Sequence, residues 1–295
     1  MSLVATLISH PAARKLTPQV ATMAMKALDA STIDWLGENL SCDIVLKPGL
    51  DANEAEKRLR HALAGAPIDV AVQEAEGRRK KMLIADMDST MIDQECIDEL
   101  AAELGLKDAV AAITSRAMNG EIAFEPALEE RVALLNGLSL DVIDKVIDKR
   151  ITLASGGPAL VATMNAKGAF TALVSGGFEQ FTGPVGEKLG FRIQQANRLL
   201  IEEGKLNGKV AKPILGRAAK AEALDRFATA HGLARQDVLA VGDGANDLDM
   251  LGLAGLGVAL HAKPAVAAQA RVRIDHGDLT ALLFLQGYRE TEFIG

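Results

Sequence analysis

Two aspartates stand two residues apart in Asp86-Met87-Asp88-Ser89-Thr90, directly after the apolar run Met82-Leu83-Ile84-Ala85. A short continuous apolar run reads as a strand buried on both faces, so the carboxylates that follow it emerge at the carboxyl edge of a sheet. There one side chain can attack an electrophile and bind metal, while the second moves protons to and from the same centre. A second apolar run leads into Val174-Ser175-Gly176-Gly177-Phe178. A hydroxyl and a glycine turn entering a helix present backbone N–H groups and a positive helix end to an anion. A third run, Val238 to Val241, ends in Gly242-Asp243-Gly244-Ala245-Asn246-Asp247. Asp243 beside Asp86 and Asp88 makes the oxygen-only, few-carboxylate set that Mg²⁺ favours. A calcium loop of the EF-hand kind is a poor rival, because its spacing and terminal Glu are absent.

Carboxylates facing a phosphate group need positive charge beyond that of the metal. Lys220 opens the helix that precedes the third run, and Lys212 competes with it by proximity. The residues alone leave both open.

These groups must be held by an alternating α/β architecture. Apolar runs at Met82–Ala85, Phe170–Val174, Val238–Val241, Leu256–Leu260 and Val272–Ile274 predict a doubly wound parallel sheet with helices on both faces. Between the first two runs lie about 80 residues, too many for one crossover. They read as helices over Glu95–Leu104, Lys107–Met118, Phe124–Leu135 and Leu140–Lys149, punctuated by Gly105, Gly120 and Gly137. This insertion, about 92–150, sits above the carboxyl end of the first strand and is placed to act as a lid.

Upstream, the charged stretch Glu76 to Lys81 marks a junction between a unit over 1–76 and one over 80–295, although four basic residues in a row are equally consistent with a solvated surface. The first unit reads as strand Val4–Ile8, helix Thr17–Leu28, strands Ile33–Leu36 and Cys42–Leu46, helix Asn53–Leu63 and strand Ile68–Val72. That β-α-β-β-α-β order is ferredoxin-like. It carries no cluster with catalytic spacing, which points to a regulatory or dimerising unit, with a homodimer formed through it.

Composition narrows the class further. The chain has 295 residues, 49% apolar and 24% charged, as expected of a globular protein of about two folding units. Acids outnumber Lys and Arg by 39 to 32, so nothing attracts nucleic acid or an anionic membrane, and any anion must be met by local groups. Two cysteines, Cys42 and Cys96, make neither a disulfide framework nor a zinc site. No apolar run approaches the roughly 18 residues of a membrane span, and the N-terminus lacks a basic leader region. The expectation is a soluble cytoplasmic protein acting on a small molecule.

In order and spacing, Asp86-Met87-Asp88-Ser89-Thr90, Ser175, Lys220 and Gly242 to Asp247 resemble the four motifs of the haloacid dehalogenase superfamily of phosphotransferases. Met91-Ile92-Asp93-Gln94-Glu95, Met118 to Phe124 and Arg131 to Leu135 narrow the likeness to its bacterial SerB-type phosphoserine phosphatases, over about residues 80–290. The resemblance implies that Asp86 is a nucleophile that becomes an aspartyl phosphate, and that Asp88 protonates the leaving oxygen and then activates water. It implies Mg²⁺ held by Asp86, the Asp88 backbone carbonyl and Asp243. Ser175, the Gly176 N–H and Lys220 would grip the phosphoryl oxygens, with Asn246 nearby and Asp247 orienting Lys220. In the cap, Glu95 would meet the substrate ammonium and Arg131 its carboxylate, with Phe124 and Met118 shielding the site. An amino-acid zwitterion needs one acid and one base, and an arginine fork fits a carboxylate. The implied reaction is hydrolysis of O-phospho-L-serine, the last step of serine synthesis.

Met87 departs from the subfamily, which usually has Phe there. The expectation is a change of core packing with activity retained. The first unit resembles ACT-like domains only in its element order. Two other readings remain at this stage: the same chemistry on another small phosphomonoester, or a phosphate- or amino-acid-sensing protein. Asp88 argues against the last, since a protein that keeps its acyl phosphate has no use for an acid/base beside it.

Overall fold

The computed structural model describes residues 2–295. Its first part runs β1 (Leu3–Ser9), α1 (Pro18–Ala27), β2 (Ile33–Gly37), β3 (Ser41–Val45), α2 (Ala52–Ala62) and β4 (Ile68–Glu74). The second begins with β5 (Met82–Ala85), α3 (Cys96–Ala102), α4 (Lys107–Met118), α5 (Phe124–Ala133), α6 (Asp141–Arg150) and α7 (Gly157–Ala166). It continues through β6 (Phe170–Phe178), α8 (Glu179–Leu189), β7 (Ile193–Asn197), β8 (Leu199–Glu202), β9 (Lys205–Val210) and α9 (Arg217–Ala230). The chain closes with β10 (Val238–Gly242), α10 (Leu248–Leu253), β11 (Leu256–Leu260), α11 (Pro264–Ala267), β12 (Val272–Ile274) and α12 (Ala281–Leu285).

β1 to β4 form an antiparallel sheet in the order β2-β3-β1-β4. Alternation along the strands sends Ala5, Leu7, Cys42, Ile44, Val70 and Val72 under α1 and α2, against Ala24, Leu28, Ala55 and Leu59. Both helices start on side-chain caps, Thr17 accepting from the Val20 N–H and Asp51 from those of Asn53 and Glu54. The opposite face is also covered. Its Ile8, Leu36, Leu40 and Ala71 share one core with Leu279, Ala281, Leu282 and Leu285 of the C-terminal segment.

The junction is correspondingly built in. Arg78, in the charged stretch, pairs with Asp43 and donates to Thr6 Oγ1 and to the carbonyls of Phe284 and Leu285. Asp69 on β4 accepts from the backbone N–H groups of Asp275, His276 and Gly277. The solvated-surface reading therefore fails for Arg78, whose side chain is 10% exposed.

The second sheet has six parallel strands in the order β12-β11-β10-β5-β6-β7. Met82 and Ile84 of β5 face a cluster with Leu224 and Phe227 of α9, while Leu83 and Ala85 face Leu160 and Leu173. Both faces are buried, as the apolar run requires. Strand order reverses at β5, which lies between β10 and β6, and such a switch point opens a crevice at the carboxyl edge. Register sets the level of the edge: Ala85 lies beside Val241 and Leu173, so Asp86, Gly242 and Val174 come next together.

Helices α3 to α6 are inserted between β5 and β6, and an antiparallel bridge between Ile92 and Leu153 ties the two ends of the insertion. The sequence reading missed β7 and the hairpin β8–β9. β7 is a sheet edge whose Ile193 and Gln194 are exposed, so it lacks the apolar run of a central strand. The hairpin turns at Glu203 and Gly204, both at positive φ, and Glu hides a turn that Asn or Asp would have signalled. The hairpin is bonded to the cap: Gly137 N–H donates to the Leu206 carbonyl and Leu206 N–H to that of Leu138, each at 2.8 Å. No helix among the described residues is long and apolar enough to cross a membrane.

Candidate active site

After β5 the chain folds back on itself. The Met87 carbonyl accepts the N–H groups of Thr90, Met91 and Ile92, and Ser89 takes a positive φ to make the turn. Met87 is fully buried in the core, as expected of its place between the two aspartates. Asp86 Oδ1 receives the Met87 N–H at 2.8 Å and lies 2.8 Å from Lys220 Nζ. Asp88 is held at both oxygens: Oδ1 by the Cys96 N–H at 2.7 Å, Oδ2 by the Ser175 hydroxyl at 3.2 Å. Cys96 was not anticipated as part of the site, since a backbone donor leaves no mark in side-chain identity.

The loop after β10 is pinned by Asp247. Its Oδ2 accepts the N–H groups of Asp243 and Gly244, and its Oδ1 lies 2.6 Å from Lys220 Nζ. A Cβ on Gly242 would stand 2.3 Å from Asp247 Cγ, so only glycine lets this loop close. Lys220 is thereby buried between Asp86 and Asp247. Burial alone would lower its pKa, but those two carboxylates outweigh it and keep the ammonium charged. Lys212 points elsewhere and pairs with Glu129 at the surface.

Asp86, Asp243 and Asp247 each bring a carboxylate oxygen within 4.8 Å of the others. The carboxylate of Asp88 is not among them, being turned to Cys96 and Ser175. Asp247 has both oxygens engaged, whereas Asp243 has one oxygen bonded by the Thr90 hydroxyl at 2.9 Å and the other, Oδ2, buried without a hydrogen-bond partner. Lys263 Nζ approaches that oxygen only to 3.6 Å. Burial and the neighbouring Asp247 push Asp243 up to about 6, and burial with Asp247 raises Asp86 well above the usual carboxylate range. An orphaned oxygen in a carboxylate cluster short of positive charge fits a hard divalent cation.

The glycine turn differs from expectation. β6 continues as an irregular strand to Phe178, and α8 begins only at Glu179. The Gly177 N–H is taken by Ser175 Oγ at 2.8 Å, so the segment is not a helix terminus offered to an anion. Asn197, which sequence reasoning passed over, holds the turn: its amide donates to the Gly176 carbonyl and accepts the Leu215 N–H. Nothing in the sequence marks it, because the strand it closes is a polar sheet edge.

From the cap, Phe124 covers the turn so closely that a Cβ on Gly176 would stand 2.6 Å from its ring. Met118 packs over Gly244. Glu95 stands at the head of α3, its Oε1 receiving the Ser89 hydroxyl at 2.7 Å, and burial followed by the charge of Asp88 pushes its carboxyl well above the ordinary range. Arg131 of α5 is 2% exposed. Asp86, Asp88, Glu95, Met118, Phe124, Arg131, Ser175, Gly176 and Asn246 thus line one cavity. The Asn246 Oδ1 is buried there without a partner. The cavity measures about 30 Å³, small beside the roughly 300 Å³ or more of a small-molecule pocket.

A family model for haloacid dehalogenase-like hydrolases matches residues 83–252. The chain belongs to this family. A phosphoserine phosphatase of Streptomyces coelicolor is 38% identical to this family member over 293 residues, covering 97% of the chain and 71% of that protein. Among solved structures, a substrate-bound phosphoserine phosphatase complex aligns with TM-score 0.67 and 40% identity over 70% of the chain and 97% of its own. A haloacid dehalogenase family hydrolase from Salmonella enterica aligns over 96% of the chain and 98% of its own, with TM-score 0.84 and 29% identity. The last likeness takes in the N-terminal sheet as well as the hydrolase fold.

Proposed function

We propose that this chain hydrolyses O-phospho-L-serine to L-serine and phosphate, the last step of serine synthesis, as a cytoplasmic enzyme. The observation that carries the reading is the cavity itself. An acid and an arginine from the cap, Glu95 and Arg131, face the same small space as the aspartate pair and the Ser175-Gly176 turn. Ammonium, carboxylate and phosphate of the substrate then each have a partner of opposite character.

In this reading the carboxylate of Asp86 attacks phosphorus, and the ester P–O bond breaks with its electron pair going to the serine oxygen. Asp88, held at both oxygens, delivers the proton that oxygen needs. Water then attacks the phosphorus of the aspartyl phosphate, Asp88 takes its proton, and the bond from phosphorus to Asp86 breaks to return the carboxylate. Lys220, the Gly176 N–H and the Ser175 hydroxyl, once turned from Asp88, hold phosphoryl oxygens, Asn246 donates beside them, and Asp247 keeps Lys220 in place. Mg²⁺, held by Asp86, Asp243 and the Asp88 backbone carbonyl, would neutralise phosphoryl charge and keep Asp86 ionised. Phe124 and Met118 exclude bulk water while the cap is closed.

The 1–76 unit we read as regulatory or dimerising. With one sheet face under helices and the other on the C-terminal segment, a homodimer through it would use the helices or the β2 edge. The deciding assay is phosphate release from O-phospho-L-serine with Mg²⁺, beside O-phospho-L-threonine and a sugar phosphate, with EDTA as control. Fast, metal-dependent release favouring phosphoserine is expected. Release only from another ester would leave the Asp86 chemistry standing and remove the roles of Glu95 and Arg131.

A further inference from the structure

We infer that Thr114 and Asp98 are positioning residues that aim Arg131 at the carboxylate of the substrate, so that preference for an amino-acid ester is set by a relay across three cap helices. The inference deepens the role proposed for Arg131 and rests on it.

A buried guanidinium calls for a carboxylate partner, yet no carboxylate lies within ion-pair distance of Arg131 among the described residues. Its polar contacts are two. Nε donates to the Ala127 carbonyl of its own helix at 3.0 Å, and Nη1 donates to the Thr114 hydroxyl of α4 at 3.0 Å. Thr114 is itself buried and has one proton to give. The Asp98 carboxylate of α3 stands 2.7 Å from its oxygen, and the Val110 carbonyl stands 3.1 Å away. The shorter, charged acceptor takes the proton, which turns a lone pair of the hydroxyl toward Arg131.

The relay therefore runs from Asp98 on α3 through Thr114 on α4 to Arg131 on α5. It fixes the planar fork at two of its five N–H bonds and leaves three without a protein acceptor, on a residue that lines the cavity. Negative charge is supplied one hydroxyl away and is not in direct contact. An aspartate paired directly with the fork would occupy the N–H bonds a carboxylate ligand needs, whereas a threonine orients the fork and leaves them free.

Thr114→Val removes the hydroxyl at nearly constant volume, and Thr114→Ser restores it. The steady-state assay compares O-phospho-L-serine with O-phosphoethanolamine, which keeps the amine and the phosphate and lacks the carboxylate. Thr114→Val is expected to raise KM for phosphoserine about tenfold with kcat changed less than about threefold, the loss of one charge-assisted hydrogen bond. The preference for phosphoserine over phosphoethanolamine should fall by a similar factor, and Thr114→Ser should recover both values to within about twofold. In an Arg131→Ala background, Thr114→Val should change the preference no further. Equal losses on both esters, or losses that multiply in the double variant, would show a merely structural threonine and overturn the inference. Wild-type protein that prefers phosphoethanolamine would overturn the role of Arg131 itself, and the relay with it.

Discussion

Two buried carboxylates, each near the end of a strand, are treated in opposite ways. Asp69 on β4 receives backbone N–H groups from Asp275, His276 and Gly277 at 2.6 to 3.2 Å, and those bonds oppose the upward pull of burial on its pKa. Asp243 after β10 has one oxygen without a partner and a carboxylate neighbour in Asp247. The N-terminal sheet has apolar faces and its buried acids Asp43 and Asp69 are both paired, although the Ser41 hydroxyl is not. The carboxyl edge of the parallel sheet holds charge that the protein alone does not satisfy. A site left short of positive charge and of donors is one that a ligand completes, and its strain is tolerable because the surrounding core over-determines it.

The sharpest way to break this contrast is at Asp86. Asp86→Asn should lower turnover by roughly four orders of magnitude or more while leaving the melting temperature equal or higher, since it removes a charge from a crowded cluster. Phosphate release and calorimetry on the same preparation separate the two effects, and turnover within about a hundredfold of the wild type would remove Asp86 as nucleophile. At the other pole, Asp69→Ala should cost about 3 kcal/mol in urea unfolding by orphaning its backbone donors, with KM for phosphoserine little changed. A variant as stable as the wild type would show that these bonds contribute nothing.

Arg131→Ala should raise KM for phosphoserine roughly 30-fold, more than it alters kcat, if its interaction is made in the ground state as well as the transition state. The smallest effect is thermal. Since the folded-state pKa of Asp243 is raised to about 6, its contribution to stability is complete in acid and is lost as pH climbs through that value. A divalent cation bound there would take the place of the proton. Adding Mg²⁺ should therefore raise the melting temperature by about 5 °C near pH 7.5 and by less near pH 5. A larger rise at pH 5 would contradict the cluster as the binding site.

Local patterns explain what could be read in advance. The runs Met82–Ala85, Leu256–Leu260 and Val272–Ile274 are strands with those very bounds, and Lys107–Met118 is a helix with its own. A strand buried on both faces and an amphipathic helix each write their period into adjacent residues. β7 and β8–β9 escaped for the reverse reason: one is a polar edge and the other turns on an unmarked Glu203-Gly204.

The α/β class, the inserted helices and the residues able to do chemistry are legible along the chain, because each is encoded within a few positions. Which of them meet depends on tertiary packing. Thr90 bonds Asp243 across 153 residues and Ser175 bonds Asp88 across 87, distances over which no period or cap carries information. The same holds for Lys220 rather than Lys212, for Asn197 behind Gly176 and for Thr114 behind Arg131. Each depends on how helices and strands pack, and packing is a property of the whole core.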